Sequence, residues 1–587
     1  MRKRSIFPAA ANRDAWEKIA ALPRNRKVLD NRTKLAEKVL DEEIPQLSAS
    51  LFMEFARTGN RSNYEEKYFE RRKNLSTLVI AECAEYKGRF IDHIIDYLWA
   101  ICSEPLWGLP AHVKTPDNDP LPDPPIERLN LFSAETGMII ALTLDMLEPE
   151  LYAISPQLVQ RIRRQLITRI VEPWEDPSFN YWWFNDPYNN WAPWICSNSL
   201  CAVLTALEND PERAEKIIAM MQDNVERYIR QYSDDGCCDE GPTYWGVAPV
   251  MMLYFYEQLG FMPVDPKIRA MAEYIIFARM TPEHLCGFAD AMISTDTIHG
   301  AACIRFGKHL DSPELIRLGI EHANTKAAIN REHRDLFTAL NDLFWYEDSA
   351  EKKYRKHRQA IYYERLQMLF VKDNQFSIAV KRGYAGSHFH ADIGQFILFC
   401  KNRPVITDLG RTDYTRETFS PQRFNHWVLN AEGHNIPQFN GIKQITDPKP
   451  DPDAVTVWRA GNLTVMEMDL TSAYPVDAGI ISCRRVIECN LDDHIFAVTD
   501  SWELASENNR IRIPLYTPAA VTIKTEDSAQ IGNMEVQITA EHSDLKSTMI
   551  ELNEQTMIKN WGRIINRLDI NCTSKKTGSC TMVFSCR

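Results

Sequence analysis

GSHFHADIGQFILFCKNRPVITDLG, residues 386–410, is the stretch on which the reading of the fold turns. Gln395–Cys400 is an apolar, aromatic run of strand character, Asn402–Pro404 makes a turn, and Val405–Leu409 reads as a second strand. The stretch opens with His388, His390 and Asp392. In an extended chain, residues two apart share a face, so these three side chains are expected to point into one cleft. Asp408 on the second strand, and His434 in EGHNIPQFNG, can close a site around them. Two imidazoles and a carboxylate form a credible zinc set; the plainer alternative is a group of polar residues at a sheet edge.

Downstream the texture stays β. Phe376–Lys381, Val455–Trp458, Leu463–Leu470, Ile480–Glu488, Ile495–Ser501, Ile511–Leu515, Ala520–Ile523, Glu535–Thr539, Thr548–Leu552 and Asn566–Ile570 are alternating or β-branched runs separated by Asn, Asp and Gly turns. Strands without intervening helices predict antiparallel sheets stacked as a sandwich. Upstream, from about Asp14 to about Arg365, apolar residues recur at helical spacing. Cys83, Tyr86, Phe90, Ile94, Tyr97 and Ile101 fall on one helical stripe, and others run through Leu131–Leu147, Leu158–Val171, Ala214–Tyr232, Val247–Leu259, Ile268–Met280 and Leu336–Tyr346. Pro116–Pro125 and Glu172–Asn190 are turn clusters. The second is rich in aromatics, from Trp174, Phe179, Tyr181, Trp182, Trp183, Phe184 and Tyr188 to Trp191 and Trp194 just beyond, which suits core packing and a carbohydrate cleft equally. Many helices of similar length joined by modest loops predict a helical toroid or solenoid, although no sequence repeat is visible. The boundary is expected near residue 365, giving domains 1–365 and 366–587.

The chain has 587 residues, more than one core usually holds. With 44% hydrophobic and 25% charged residues it has the composition of a soluble globular protein. A net charge of -13 argues against a nucleic-acid binder or a polybasic membrane protein, while leaving room for a local basic cleft that takes an anionic substrate. The first residues are basic but lack the apolar stretch of a signal peptide, and no apolar run approaches the roughly 20 residues that span a bilayer. Fourteen cysteines without a CxxC pair read as reduced, buried thiols. A cytoplasmic protein is expected.

Three stretches concentrate polar residues beyond what core packing requires: DPYNNWAPW with Asn189, Asn190 and Trp191; DDGCCDEGPTYWG with Glu240, Tyr244 and Trp245; and the His cluster with Asp408, Arg411, Tyr414, Arg423, His426 and His434. Singly each has a dull explanation, since Asn190 suits a helix N-cap and Tyr244 a half-buried loop aromatic. In order, YNNW, DEGPTYW and SHFHADIGQF…ITDLG…GHN resemble the heparinase II/III-like polysaccharide lyases and the related alginate lyases. The resemblance spans most of the chain, and HxHxD…DxG…HN is its most specific part.

What the resemblance implies is an (α/α) incomplete toroid followed by an antiparallel β-sandwich, and β-elimination at a uronic acid of an acidic oligo- or polysaccharide, with glycosaminoglycan-type chains foremost. In that scheme Asn190, or less directly Asn189, hydrogen bonds the uronate carboxylate as charge builds on it. Tyr244 matches the family's catalytic tyrosine and acts as base and then acid on one face of the sugar. A phenol of ordinary pKa about 10 needs neighbouring positive charge for this, from His388, Arg411 or Arg423. Asn189, Trp191, Glu240, Trp245, Arg411, Tyr414 and Arg423 are the expected substrate contacts. His390, Asp408 and His434 match a zinc set that is mainly structural in relatives, leaving His388 to face the substrate. Some relatives carry a histidine base at or beside the amide position; here Trp191 follows Asn190, which favours a single-tyrosine syn route and glucuronate-type units. A cytoplasmic lyase would meet imported oligosaccharides, which suggests exolytic cleavage. The rivals are a toroid glycoside hydrolase with Glu240 and Asp239 or Asp186 as its carboxyl pair, a carbohydrate-binding scaffold, and a zinc hydrolase built on His388, His390 and Asp408.

Overall fold

The computed structural model describes residues 6–113, 119–122, 129–178, 180–185, 189–333, 335–347, 359–383, 388–449 and 451–586. Phe179, Asp186, Tyr188, Gly386 and most of the Pro116–Pro125 turn lie outside them. The chain separates into two compact units, each discontinuous in sequence. One comprises Met1–Tyr232, Gly246–Ala272 and Ile298–Glu351; the other comprises Ser233–Trp245, Glu273–Thr297 and Lys352–Arg587.

The first unit is helical, and its helices alternate in character. Leu131–Ile154, Trp191–Ala206 and Pro249–Leu259 are buried around almost their whole circumference. Between them come Pro156–Leu166, buried at Leu158, Val159, Ile162 and Leu166, and Pro211–Gln231, buried at Ala214, Ile217, Ile218, Met221, Val225, Tyr228 and Ile229. A helix apolar all round must be enclosed, and one with a single stripe must sit outside it, so the sequence itself dictates an inner and an outer layer, the (α/α) pattern. Leu131–Ile154 packs directly on Trp191–Ala206. The stripe from Cys83 to Ile101 is not one helix. Ser62–Glu85 ends where Tyr86 turns left-handed (φ 53°), and Ile91–Cys102 starts afresh. In the aromatic segment, Trp174 and Trp183 are buried and meet edge-to-face at 5.7 Å, whereas Trp182 is exposed.

In the second unit the described strands form three antiparallel sheets. Gln359–Tyr363, Met368–Lys372, Phe376–Lys381, Phe396–Cys400 and Arg403–Ile406 make a five-stranded meander in chain order. An eight-stranded sheet runs in the order Val521–Thr525, Ser528–Ile531, Met534–Ala540, Thr577–Cys586, Ile495–Leu504, Ile480–Asn490, Leu463–Asp469 and Val455–Ala460. Ser543–Glu551, Ile564–Ser574, Asn509–Thr517 and Gln438–Phe439 form the third. One core joins all three, with Leu398, Ile487, Phe496, Ile513 and Phe584 among its members. Each such side chain contributes about 1.5–3 kcal/mol on burial. The expectation of strands alone is corrected by the short helix Gln555–Trp561 and several single 3₁₀ turns.

The opening stretch divides. Phe396–Cys400 and Arg403–Ile406 are strands, as their β-rich composition implies, but 388–395 is turn and irregular backbone, and Asp408 lies just past the second strand. The shared-face argument therefore does not hold for His388, His390 and Asp392. Asp392 is instead withdrawn into an ion pair with Lys381 at 2.7 Å.

Candidate active site

The site in the β-rich unit is assembled from four segments. The loop after Ser233 brings Tyr244. Gly241, at φ +91°, makes the tight approach possible, because a Cβ there would stand 3.0 Å from the Phe288 carbonyl oxygen. Thr243 Oγ1 accepts the Met292 amide at 2.7 Å and fixes this loop to the segment that carries Asp290. Gly410 (φ +70°) performs the same service on the other side, where a Cβ would meet the Ala291 carbonyl oxygen at 2.8 Å.

Tyr244 Oη lies 3.3 Å from His388 Nδ1 and 2.9 Å from Tyr414 Oη, and its ring sits on the His388 ring with centroids 4.4 Å apart. Asp290, which sequence reasoning missed, joins these groups. Its Oδ2 accepts from His388 Nδ1 at 2.8 Å and from Tyr414 Oη at 3.0 Å; its Oδ1 accepts from His390 Nε2 at 3.0 Å and from Arg423 Nη2 at 2.8 Å. Burial alone would raise the Asp290 pKa, but the two histidine hydrogen bonds and the Arg423 charge outweigh it and hold the carboxyl well below its ordinary value. No signal in CGFADAMIST marks this aspartate. Its partners lie 98 to 133 residues away in the chain, beyond the reach of any local pattern.

Arg411 lies over the Tyr414 ring at 3.9 Å. Glu240 Oε1 stands 3.5 Å from His388 Nε2, and Asp239 pairs with Arg365 at 3.2 Å. His426 pairs with Glu554 at 2.6 Å, away from the Asp290 cluster. Trp245 is buried, which makes its ring a packing element with no face for a sugar. The Tyr244 phenol is pushed well above its ordinary value, first by burial and then by Tyr414, Asp290 and Glu240; Arg411 opposes the shift. The expectation that surrounding charge lowers it is thus reversed in the free protein, because Asp290 absorbs the charge of Arg423 and leaves Arg411 alone against burial.

His390, Asp408 and His434 come together as a group able to hold a metal ion, their ligand atoms all within 4.8 Å of one another. His390 Nδ1 and His434 Nε2 are buried and lack a hydrogen-bond partner among the described residues. An unsatisfied buried polar atom costs about 1–3 kcal/mol, a cost that a cation taking the lone pair removes. Asp408 Oδ2 accepts from His434 Nδ1 at 3.0 Å and Gln395 Nε2 at 2.8 Å, and Oδ1 accepts the Gly410 amide at 2.9 Å. Burial would raise the Asp408 pKa, but His434, His390 and that amide bring it to about 2. Asn435 fixes the loop by donating to the Phe396 and Thr407 carbonyls and accepting the Tyr516 amide. Arg485, paired with Asp500, adds bonds of 2.7 Å to the carbonyls of Gly394 and Asn435. His388 is not part of this group, so the structure separates the three residues on which the zinc-hydrolase reading relied.

Residues 351–560 match the family model described as Heparinase II/III-like, C-terminal. Over this segment the chain is similar to heparinase II/III-like C-terminal domains. SHFHADIGQF, ITDLG and GHN fall inside it, whereas YNNW and DEGPTYW lie before it. The fold is also that of solved lyases at low identity. A heparinase III is 13% identical with a TM-score of 0.62, covering 90% of this chain and 78% of its own. A heparan sulfate lyase from Pedobacter heparinus is 12% identical with a TM-score of 0.56, covering 90% and 77%. The chondroitin AC lyase of Streptomyces coelicolor A3, solved with chondroitin sulphate, is 11% identical with a TM-score of 0.58, covering 98% and 82%. No curated protein matches the chain.

Asn189, Asn190 and Trp191 belong to the helical unit. Asn190 occupies the N-cap position of Trp191–Ala206, yet the capping bond comes from its neighbour: Asn189 Oδ1 accepts the Trp191 amide at 2.9 Å. The dull reading of Asn190 therefore transfers to Asn189. Trp191 is half-buried, its ring 5.0 Å from those of His112 and Trp182.

Proposed function

We propose that the protein is a polysaccharide or oligosaccharide lyase that cleaves uronate-containing, glycosaminoglycan-type chains by β-elimination. The observation that carries this reading is the contact of Tyr244 Oη with His388 Nδ1 and Tyr414 Oη beside a segment similar to heparinase II/III-like domains. Tyr244 Oη stands against His388 Nδ1 and Tyr414 Oη, whose protons are held by Asp290, and Arg411 is the charge that favours its phenolate. The phenol first loses its proton to solvent. It then takes the C5 proton of the uronate and returns the same proton to the leaving glycosidic oxygen, so the tyrosine ends as it began. The C5–H and C4–O bonds break, a C4–C5 double bond forms, and no water is consumed. The reading gives Asn190 the hydrogen bond to the uronate carboxylate, on the strength of the YNNW motif. Arg411, Tyr414, Arg423, Glu240, Asn189 and Trp191 remain candidates for substrate contact. Trp191, in place of a second base, supports syn elimination and glucuronate-type units.

Zinc is the ion proposed for His390, Asp408 and His434, two imidazole nitrogens and a carboxylate oxygen matching its ligand preferences. When bound it would tie the three ligands together and so stiffen the loop carrying the HxH pair. Among the described residues thirteen cysteines, from Cys83 to Cys580, are buried, which supports a reducing, cytoplasmic setting and imported acidic oligosaccharides as substrates. Among the described residues no helix is long and apolar enough to cross a membrane.

The test is ultraviolet absorbance of the conjugated enoate on a panel of glucuronate- and iduronate-containing oligosaccharides. A rise in absorbance supports elimination. New reducing ends without it would replace the lyase by a hydrolase.

A further inference from the structure

An ionised carboxylate accepts hydrogen bonds and donates none, with about four lone-pair positions to offer. Asp290 fills them with four side-chain donors and has no exposed surface. Two of those donors are imidazoles, so Asp290 dictates where each carries its proton: His388 on Nδ1 and His390 on Nε2. The consequence for His390 is that Nδ1 is the bare nitrogen, the same buried atom that has no partner among the described residues. For His388 the consequence is a ring held in register with Tyr244 and Tyr414. One carboxylate thus sets a tautomer in the metal-binding group and the orientation of the ring beside the tyrosine.

We infer that Asp290 is a positioning residue that couples occupancy of the His390–Asp408–His434 metal site to the placement of His388 against Tyr244. The inference rests on the lyase reading only for the meaning of the Tyr244–His388 pair; the coupling itself is a property of binding. Such coupling is reciprocal. A change at His388, which is outside the ligand group, must therefore alter metal affinity, and must do so through Asp290. An amide at position 290 breaks the link, because its single oxygen cannot accept on both sides and its NH₂ would face donors.

The test is a double-mutant cycle on zinc affinity, measured by competition with a chromogenic chelator on the full chain, with folding checked by circular dichroism. Four proteins are compared: wild type, Asp290→Asn, His388→Ala and the double variant. Asp290→Asn is expected to weaken zinc binding by about 10–100-fold, the range for loss of a group that orients a ligand. His388→Ala is expected to change the zinc Kd by about fivefold or more in the wild-type background and to have no further effect once Asp290 is Asn. Equal effects of His388→Ala in both backgrounds, no effect in either, or no zinc binding by wild type would overturn the inference. If Asp290→Asn fails to fold, Asp290→Glu keeps the charge facing Arg423, moves the oxygens by one methylene, and takes its place in the same cycle with the same criteria. An enoate assay of the wild type runs alongside. Its failure would remove the lyase reading and leave the zinc cycle to decide the coupling.

Discussion

Lys381 Nζ lies 2.7 Å from Asp392 Oδ1, and neither side chain reaches solvent appreciably. The pair joins the end of the strand Phe376–Lys381 to the loop that carries His388 and His390, and it removes the third member of the His-x-His-x-Asp run from the site. Removing one partner of a buried ion pair leaves a charge without compensation, at a cost of about 3–5 kcal/mol. Asp392→Asn is therefore expected to lower stability by that amount in denaturant unfolding. Replacing both residues by apolar ones of similar volume, Lys381→Met with Asp392→Leu, should recover most of the loss. A single variant as stable as wild type would show that the pair contributes nothing net.

Tyr244→Phe removes one oxygen from a half-buried ring whose packing against His388 is otherwise kept. Enoate formation is expected to fall by about 10²–10⁴-fold, the usual contribution of a positioned acid–base group, with thermal unfolding shifted little. Activity within a factor of three of wild type would assign the proton transfers elsewhere.

The pH dependence of elimination follows from the same tyrosine. Its phenol is raised by burial and by its acidic neighbours, and Arg411 is the charge that pulls it down. The base form is therefore scarce at neutral pH, and kcat/KM should rise with pH on the alkaline side. Arg411→Gln removes the opposing charge, so the pKa climbs further and the alkaline limb moves to higher pH. At fixed neutral pH the rate should drop about tenfold for each unit of that movement. A limb that stays in place, or moves to lower pH, would contradict the assignment.

In the helical unit Glu257 accepts from Arg305 Nε at 2.7 Å and Nη2 at 2.8 Å and from His309 Nε2. Burial alone would raise its pKa, but these partners outweigh it and lower the value from 4.5. A depressed carboxyl stabilises the fold above its unfolded pKa, and that contribution disappears as pH falls through the folded pKa. Glu257→Gln should cost about 1.5–3 kcal/mol at pH 7, the range for a hydrogen bond to a charged group. The gap between the two proteins in thermal unfolding should shrink as pH falls below about 4.5. A gap that is constant from pH 7 to pH 3 would mean that packing, not charge, is responsible.

Chemical character along the chain was enough to announce helices before about residue 365 and strands after it, because periodicities of 3.6 and 2 are properties of consecutive residues. The split into inner and outer helices was not legible there: Leu131–Leu147 and Ala214–Tyr232 both read as single stripes, whereas in the fold Leu131–Ile154 is buried almost all round and Pro211–Gln231 on one stripe only. His390, Asp408 and His434 were singled out through the family resemblance, and the fold brings their ligand atoms within 4.8 Å of one another. Tertiary structure alone decided the rest. Tyr86 breaks a stripe that looks continuous, because left-handed backbone leaves no mark on hydrophobic spacing. Asp392 was expected to point into the cleft and is a structural ion pair, because its partner comes from a neighbouring strand. Asp290 looked like nothing and receives four side-chain hydrogen bonds. A carboxylate's role is set by which donors converge on it, and here they come from segments about a hundred residues away, so only the packed chain could assign it.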